Sequence, residues 1–158
     1  GLTNLANRDA FLLRLGQRIE QASASPERAQ FAVLFIDLNR FKYINDHYGH
    51  EVGDQVLIEV AQRLCQVVTP HDLVARLSGD EFVVLLDRVD ASQDLEHMRQ
   101  LLEAALKQPF AALGHVPVTA VDFGGSVGEA RFPQDGRDAQ SLLKHADRRM
   151  YSRKFAER

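Results

Sequence analysis

Two hydrophobic rhythms alternate along the chain. Phe11, Leu15 and Ile19 recur every four residues, which predicts an amphipathic helix from Asn7 to Gln21, broken by Ser23 to Pro26. The run Phe31 to Asp37 (FAVLFID) is almost unbroken in apolar character and finishes on a carboxylate, as a central strand covered on both faces does. A short helix over Arg40 to His47 should stop near Gly49. Val52, Val56, Val60, Leu64 and Val67 then form one stripe, predicting a longer helix from Val52 to Val68.

The second half repeats the alternation with one interruption. Two short apolar runs, Leu73 to Leu77 and Phe82 to Leu86, flank Ser78, Gly79, Asp80 and Glu81, the small and acidic residues of a β-hairpin tip. A helix over Ser92 to Lys107 turns Leu95, Met98, Leu102 and Leu106 inward. A strand is expected within Val116 to Gly128, loosened by Gly124 and Gly125, and a last helix over Asp138 to Phe155. Strands alternating with helices around one hairpin predict an α/β (α+β) sandwich, with a mixed central sheet flanked by helices in a ferredoxin-like arrangement.

Composition narrows the class. The 158 residues are 45% hydrophobic and 26% charged, enough for one globular domain with a real core. A net charge of −3 supplies no global basic field for nucleic acid, so no nucleic-acid partner is expected. The single cysteine, Cys65, excludes an internal disulfide and a cysteine zinc cluster; it falls in an apolar helical pattern and reads as a small core residue. A reducing cytoplasm is the natural setting. No apolar run approaches the roughly 20 residues that span a bilayer, and no signal peptide is present. The start at Gly1 and the charged end suggest a single domain, residues 1–158, cut from a larger protein, which includes the case of a membrane-anchored protein's cytoplasmic part.

Three carboxylates are the first candidate chemistry. Asp37 ends the buried strand, and a hairpin packed beside it would bring Asp80 and Glu81 to the same place. Clustered carboxylates repel one another unless a cation sits among them, and hard oxygen ligands select Mg²⁺ or Mn²⁺ over zinc. Acidic residues are also ordinary at strand ends and in turns. Asn45, His50 and Asp54 form a second group: an amide and a carboxylate facing one flat ligand suit the edge of guanine. Equally, Asn45 would cap a helix end and Asp54 would favour a first helical turn. His50-Glu51 opens like a zinc-protease helix, but Asp54 stands where the second histidine belongs. There is no P-loop, and Gly124-Gly125-Ser126-Val127-Gly128 reads as strand irregularity. Arg148, Arg149, Arg153, Lys154 and Arg158 crowd the last helix; Lys154 and Arg158, four apart, share a face that suits terminal phosphates.

Arg76 to Phe82 (RLSGDEF) resembles the RxGGDEF signature of diguanylate cyclases. Asp37 to Asp54 (DLNRFKYINDHYGHEVGD) is similar to that family's DxDxFKxINDxxGHxxGD segment. LTNLANR, beginning at Leu2, resembles its opening LTGLxNR, and LLKHADRRMYSRK, ending at Lys154, its closing LLxxADxAxYxAK. The four matches stand in family order and cover nearly the whole chain.

The resemblance implies a nucleotidyl-cyclase palm-like domain whose hairpin carries the signature. It implies metal ligation by Asp37, Asp80 and the Leu38 carbonyl with Glu81 in support, and deprotonation of an attacking 3′-hydroxyl by Asp80 with help from Glu81. Asn45 and Asp54 would recognise guanine, with His50 and Phe41 beside the nucleoside and Ser78-Gly79 close to phosphate. Lys42 would stabilise transition-state charge, and Lys154 and Arg158 would hold the β and γ phosphates. Two GTP molecules would become cyclic di-GMP and two pyrophosphates in a homodimer, within a protein carrying linked sensory or EAL-type domains.

Four departures qualify this expectation, the mildest being Asn4 in place of the opening motif's glycine. Ser78 replaces the first signature glycine, and Asn39 the second aspartate of DxD. Thr69 stands where the product-inhibition motif RxxD has arginine, leaving only Asp72, so feedback inhibition is not expected. The competing reading is a weak or inactive GTP-binding domain that regulates a linked phosphodiesterase.

Overall fold

The computed structural model describes residues 1–28, 30–90, 92–114 and 123–156. In chain order these form α1 (Arg8–Ala24), β1 (Phe31–Asn39), α2 (Phe41–Tyr48), α3 (His50–Val67), β2 (Leu73–Ser78), β3 (Glu81–Leu86), α4 (Ser92–Leu106), β4 (Gly124–Phe132) and α5 (Ala139–Ala156). Asn7 starts α1 as its N-cap, its side-chain oxygen accepting from the Ala10 N–H at 2.8 Å. The expected helices and hairpin strands all form. Val116 to Asp122 of the expected fourth strand lies outside the described residues; the strand that is described runs four residues past Gly128.

The sheet has the order β2-β3-β1-β4. All its pairings are antiparallel among the described residues, a correction to the expected mixed sheet. The helical crossovers do return the chain in a parallel sense, but each time a third strand lies between the two. β3 separates β1 from β2, and β1 separates β3 from β4, which is the ferredoxin-like split βαβ pattern. The outer edge of β2 is met by the N-terminal segment, where Arg76 N–H donates to Ala6 C=O at 3.1 Å in an isolated parallel bridge.

Strand β1 explains its own apolar run. Phe31, Val33 and Phe35 point into a core shared with Phe11 and Leu15 of α1 and Leu142, Ala146 and Met150 of α5. Ala32, Leu34, Ile36 and Leu38 point into the opposite core, with Val56, Val60 and Leu64 of α3 and Leu102 and Leu106 of α4. Each fully buried side chain of this size contributes about 1.5–3 kcal/mol relative to exposure. Asp37 falls on the α1–α5 side by the two-residue period of the strand.

Two sequence expectations are corrected. Cys65 is exposed, because the buried stripe of α3 runs through Val56, Leu57, Val60, Ala61 and Leu64 and turns position 65 outward. Gly125 and Gly128 of β4 are packing devices within a regular strand. A Cβ on Gly128 would lie 2.1 Å from both the Ala146 carbonyl oxygen and the Met150 nitrogen, so only glycine lets the α5 backbone rest on the sheet. Gly125 likewise makes room for Leu106, whose Cδ1 would be 2.4 Å from an added Cβ. Among the described residues, no helix is long and apolar enough to cross a membrane.

Candidate active site

The site grows from the end of β1. Asp37 is directly opposite Glu81, the first residue of β3, in the antiparallel register. Gly79 and Asp80 form the hairpin tip between Ser78 and Glu81. Two contacts hold the tip in place: Arg76 Nε donates to the Gly79 carbonyl at 3.0 Å, and Leu38 N–H donates to the Asp80 carbonyl at 3.1 Å. The second contact ties the tip to β1, so the fold brings Asp37, Asp80 and Glu81 together as the sequence suggested.

Negative charge accumulates there. Partial burial, and then the neighbouring Asp37 and Glu81 carboxylates, push the Asp80 carboxyl above the ordinary carboxylate range. Asp147 of α5 is raised in the same direction, first by partial burial and then by Glu81 and Asp37. Sequence reasoning quoted Asp147 inside the closing motif but gave it no role. Its signal was the seven-residue spacing to Lys154, which places both on one face of α5 two turns apart. Glu81 and Asp147 also line an open groove of about 730 Å³ between α1 and α5, with Arg8, Leu12 and Lys144.

The cation at the centre is an ammonium. Lys154 Nζ donates to Asp37 Oδ2 at 2.7 Å, with the two side chains 21% and 16% exposed. Arg149 and Arg153 are committed elsewhere. Arg153 forks onto the Glu129 carboxylate at 2.6 and 2.7 Å, and Arg149 pairs with Asp135 at 2.9 Å. Both pairs lock α5 to β4 and the turn after it. Arg148 is exposed, and Arg158 lies outside the described residues.

Among the described residues, no three His, Cys, Asp or Glu side chains converge as a ready-made ion site. The donor chemistry still fits a hard divalent cation. Asp37 and Asp80 offer hard carboxylate oxygens, held at one strand end by the Leu38 N–H bond to the Asp80 carbonyl, and a cation there would offset their mutual repulsion.

Beyond Asn39 the chain turns sharply. Arg40 takes a left-handed conformation (φ 68°) and lays its guanidinium 4.5 Å from the Tyr43 ring centroid. This turn ends β1 and sends α2 away at once, with Lys42 exposed on its first turn. Phe41 is buried in the core beneath it. Gly49 (φ 90°) then joins α2 to α3 with no intervening loop. Across that corner the Asn45 side chain rests on Gly53, next in sequence to Asp54. Asn45 is half-buried, and His50 and Asp54 are exposed, so the corner presents an amide and a carboxylate to solvent.

Ser78 is exposed and its hydroxyl donates a short hydrogen bond to the Glu81 carboxylate. Asp72 is engaged by its own turn and by the end of β3. Its carboxylate accepts from Thr69 N–H at 2.9 Å, Thr69 Oγ1 at 3.0 Å and Asp87 N–H at 2.9 Å.

A ferredoxin-like sheet with a carboxylate-tipped hairpin beside its central strand is the fold of the solved GGDEF domains that this chain resembles. Residues 1–158 match the family described as diguanylate cyclase, GGDEF domain, and the chain belongs to the GGDEF-domain family. MucR of Pseudomonas aeruginosa, a bifunctional diguanylate cyclase/cyclic di-GMP phosphodiesterase, is 41% identical over 153 residues, 97% of this chain and 21% of MucR. The cyclic di-GMP phosphodiesterase NbdA of the same species is 38% identical over 159 residues, 99% of this chain and 19% of NbdA. The chain therefore spans about a fifth of the length of these relatives. The solved GGDEF domain of TpbB (YfiN), also from Pseudomonas aeruginosa, has a TM-score of 0.89 at 37% identity, covering 99% of this chain and 88% of that one.

Proposed function

We propose that this domain is a diguanylate cyclase, joining two GTP molecules into cyclic di-GMP with release of two pyrophosphates. The observation that carries the reading is the hairpin tip tied to β1 by the Leu38–Asp80 hydrogen bond, with Asp37 facing Glu81 across the strands. That arrangement gathers carboxylates on a rigid scaffold at a strand end, where phosphoryl-transfer sites place their charge.

In this reading Asn45 and Asp54 hold the guanine edge, with His50 and Phe41 at the nucleoside. Asp37, Asp80 and the Leu38 carbonyl hold Mg²⁺ or Mn²⁺, supported by Glu81. The bound ion neutralises phosphate oxygens and lowers the pKa of a nearby hydroxyl. Asp80 takes the 3′-hydroxyl proton with help from Glu81. Lys42 stabilises charge on the α-phosphate, Ser78 and Gly79 lie along the phosphates, and Lys154 with Arg158 holds the pyrophosphate leaving group. Each 3′-oxygen must attack the other domain's GTP, so the product's two-fold symmetry calls for a homodimer. Sensory or EAL-type domains would be linked covalently, in a cytoplasmic setting.

The test is incubation of the concentrated domain with GTP and Mg²⁺ and chromatography for cyclic di-GMP, with Asp80→Ala alongside. Product that depends on Asp80 and rises faster than linearly with enzyme concentration supports the cyclase. Tight GTP binding with no product, even when two domains are fused to a dimeriser, overturns it.

A second reading, a GTP-binding regulator of a linked phosphodiesterase, is favoured by the Ser78–Glu81 hydrogen bond, which ties up a carboxylate of the site. Ser78→Gly separates the two. A several-fold rise in kcat assigns the restraint to that bond, whereas a domain inactive with either residue belongs to the regulatory class.

A further inference from the structure

We propose that Lys154 is a plug on the candidate metal site. Its ammonium occupies Asp37 in the nucleotide-free domain and leaves when a nucleotide's phosphates draw it away. The inference rests on the reading of Asp37 as a metal ligand.

Lys154 Nζ lies 2.7 Å from Asp37 Oδ2, a charge-assisted hydrogen bond at a site where both side chains are largely shielded from water. It answers the carboxylates gathered at this strand end, where Asp37 faces Glu81 across the strands and the hairpin tip carries Asp80. A divalent ion on Asp37 would meet this ammonium at contact distance, and like charges do not share a carboxylate oxygen. Metal binding through Oδ2 therefore has to displace Lys154.

The helix is built so that the displacement needs no rearrangement of the backbone. Arg153, the residue before, is fixed to Glu129 and to the Val127 carbonyl, and Gly128 seats the α5 backbone on the sheet. Only the four-carbon lysine stem has to move, and its flexibility lets the ammonium travel several ångströms from a stationary Cα. Triphosphate oxygens give it a new partner. Metal and nucleotide then favour each other: each releases part of what the other must displace, and the coupling is reciprocal. Bare metal, with nothing to receive the ammonium, binds weakly.

The experiment measures Mn²⁺ binding in the absence of nucleotide, by the electron paramagnetic resonance signal of the free ion. Wild type, Lys154→Met, Lys154→Gln and Asp37→Asn are compared, with circular dichroism and Tm confirming that each is folded. Lys154→Met and Lys154→Gln should bind Mn²⁺ about tenfold more tightly than wild type, within the usual range for a single coupling. Asp37→Asn should abolish binding. Lysine variants that bind Mn²⁺ no better than wild type, while Asp37→Asn still abolishes binding, overturn the plug and leave the metal site standing. Mn²⁺ binding that survives Asp37→Asn overturns the assignment of Asp37, and the plug with it.

Discussion

A Cβ on Gly53 would stand 1.8 Å from Oδ1 of Asn45 and 3.0 Å from its Cγ. Glycine inside a helix costs about 1 kcal/mol relative to alanine. Here it is buried and lies under the amide that the guanine reading depends on. Gly53→Ala should keep the fold, since the obstructing atoms belong to a side chain that can rotate away. The rotation removes the amide from the corner beside Asp54. KM for GTP should rise about tenfold or more with a smaller change in kcat, and the preference for GTP over ATP should fall. In an Asn45→Ala background the same change should have no further effect on KM. Additive effects in that double-mutant cycle would show that Gly53 acts otherwise.

Acidity should stabilise the region around Asp80. Its carboxyl and that of Asp147 are raised in the folded chain, so the folded state binds more protons than the unfolded one. This unfavourable contribution is absent below the unfolded carboxylate value of about 3.9 and grows as pH rises through the folded value. In magnesium-free buffer, Asp80→Asn should raise Tm at pH 7 and lose the gain near pH 4, while removing cyclase activity. A pH-independent change in Tm would mean that charge repulsion is not its source.

Product should accumulate without self-limitation. The Asp72 carboxylate already accepts three hydrogen bonds, two from Thr69 in its own turn and one from the Asp87 N–H at the end of β3, and Thr69 offers no guanidinium to bind a guanine edge or phosphate. Progress curves should therefore be unaffected by sub-micromolar cyclic di-GMP added at the start. Inhibition at that level would point to a binding mode that does not use these residues.

The two glycine contexts give opposite stability effects. Gly128→Ala drives a methyl into the α5 backbone and should destabilise by about 3 kcal/mol, the upper end for overpacking. Gly16 lies within α1 with nothing within 4 Å of an added Cβ, so Gly16→Ala should stabilise by about 0.5–1 kcal/mol. Urea unfolding of both variants checks the pair. A neutral Gly128→Ala would mean that α5 can shift outward freely.

Much of this was legible in the chain because the sheet is covered on both faces. FAVLFID cannot be half-exposed, and alternate residues of β1 duly feed two separate cores. The hairpin was legible because SGDE combines small and acidic residues between apolar runs. Cys65 was misread because a helix stripe several residues wide leaves its edge positions undecided, and position 65 falls just outside. The glycines of β4 were misread because nothing local distinguishes a weak strand from one that a helix rests upon. The antiparallel pairing of the four described strands was hidden because alternation of helices and strands specifies the direction of return, not which strand lies between.

The sequence by itself determined the elements, the two-sided core, the acidic tip and the family, since these follow from local periodicity and from motifs carried on contiguous residues. Only the tertiary structure decided which charges meet. Lys154 and Asp37 are 117 residues apart, and their 2.7 Å contact exists because Gly128 seats α5 on the face of β1 that carries Asp37. Pairing between distant side chains depends on strand order and helix docking, which no local pattern encodes.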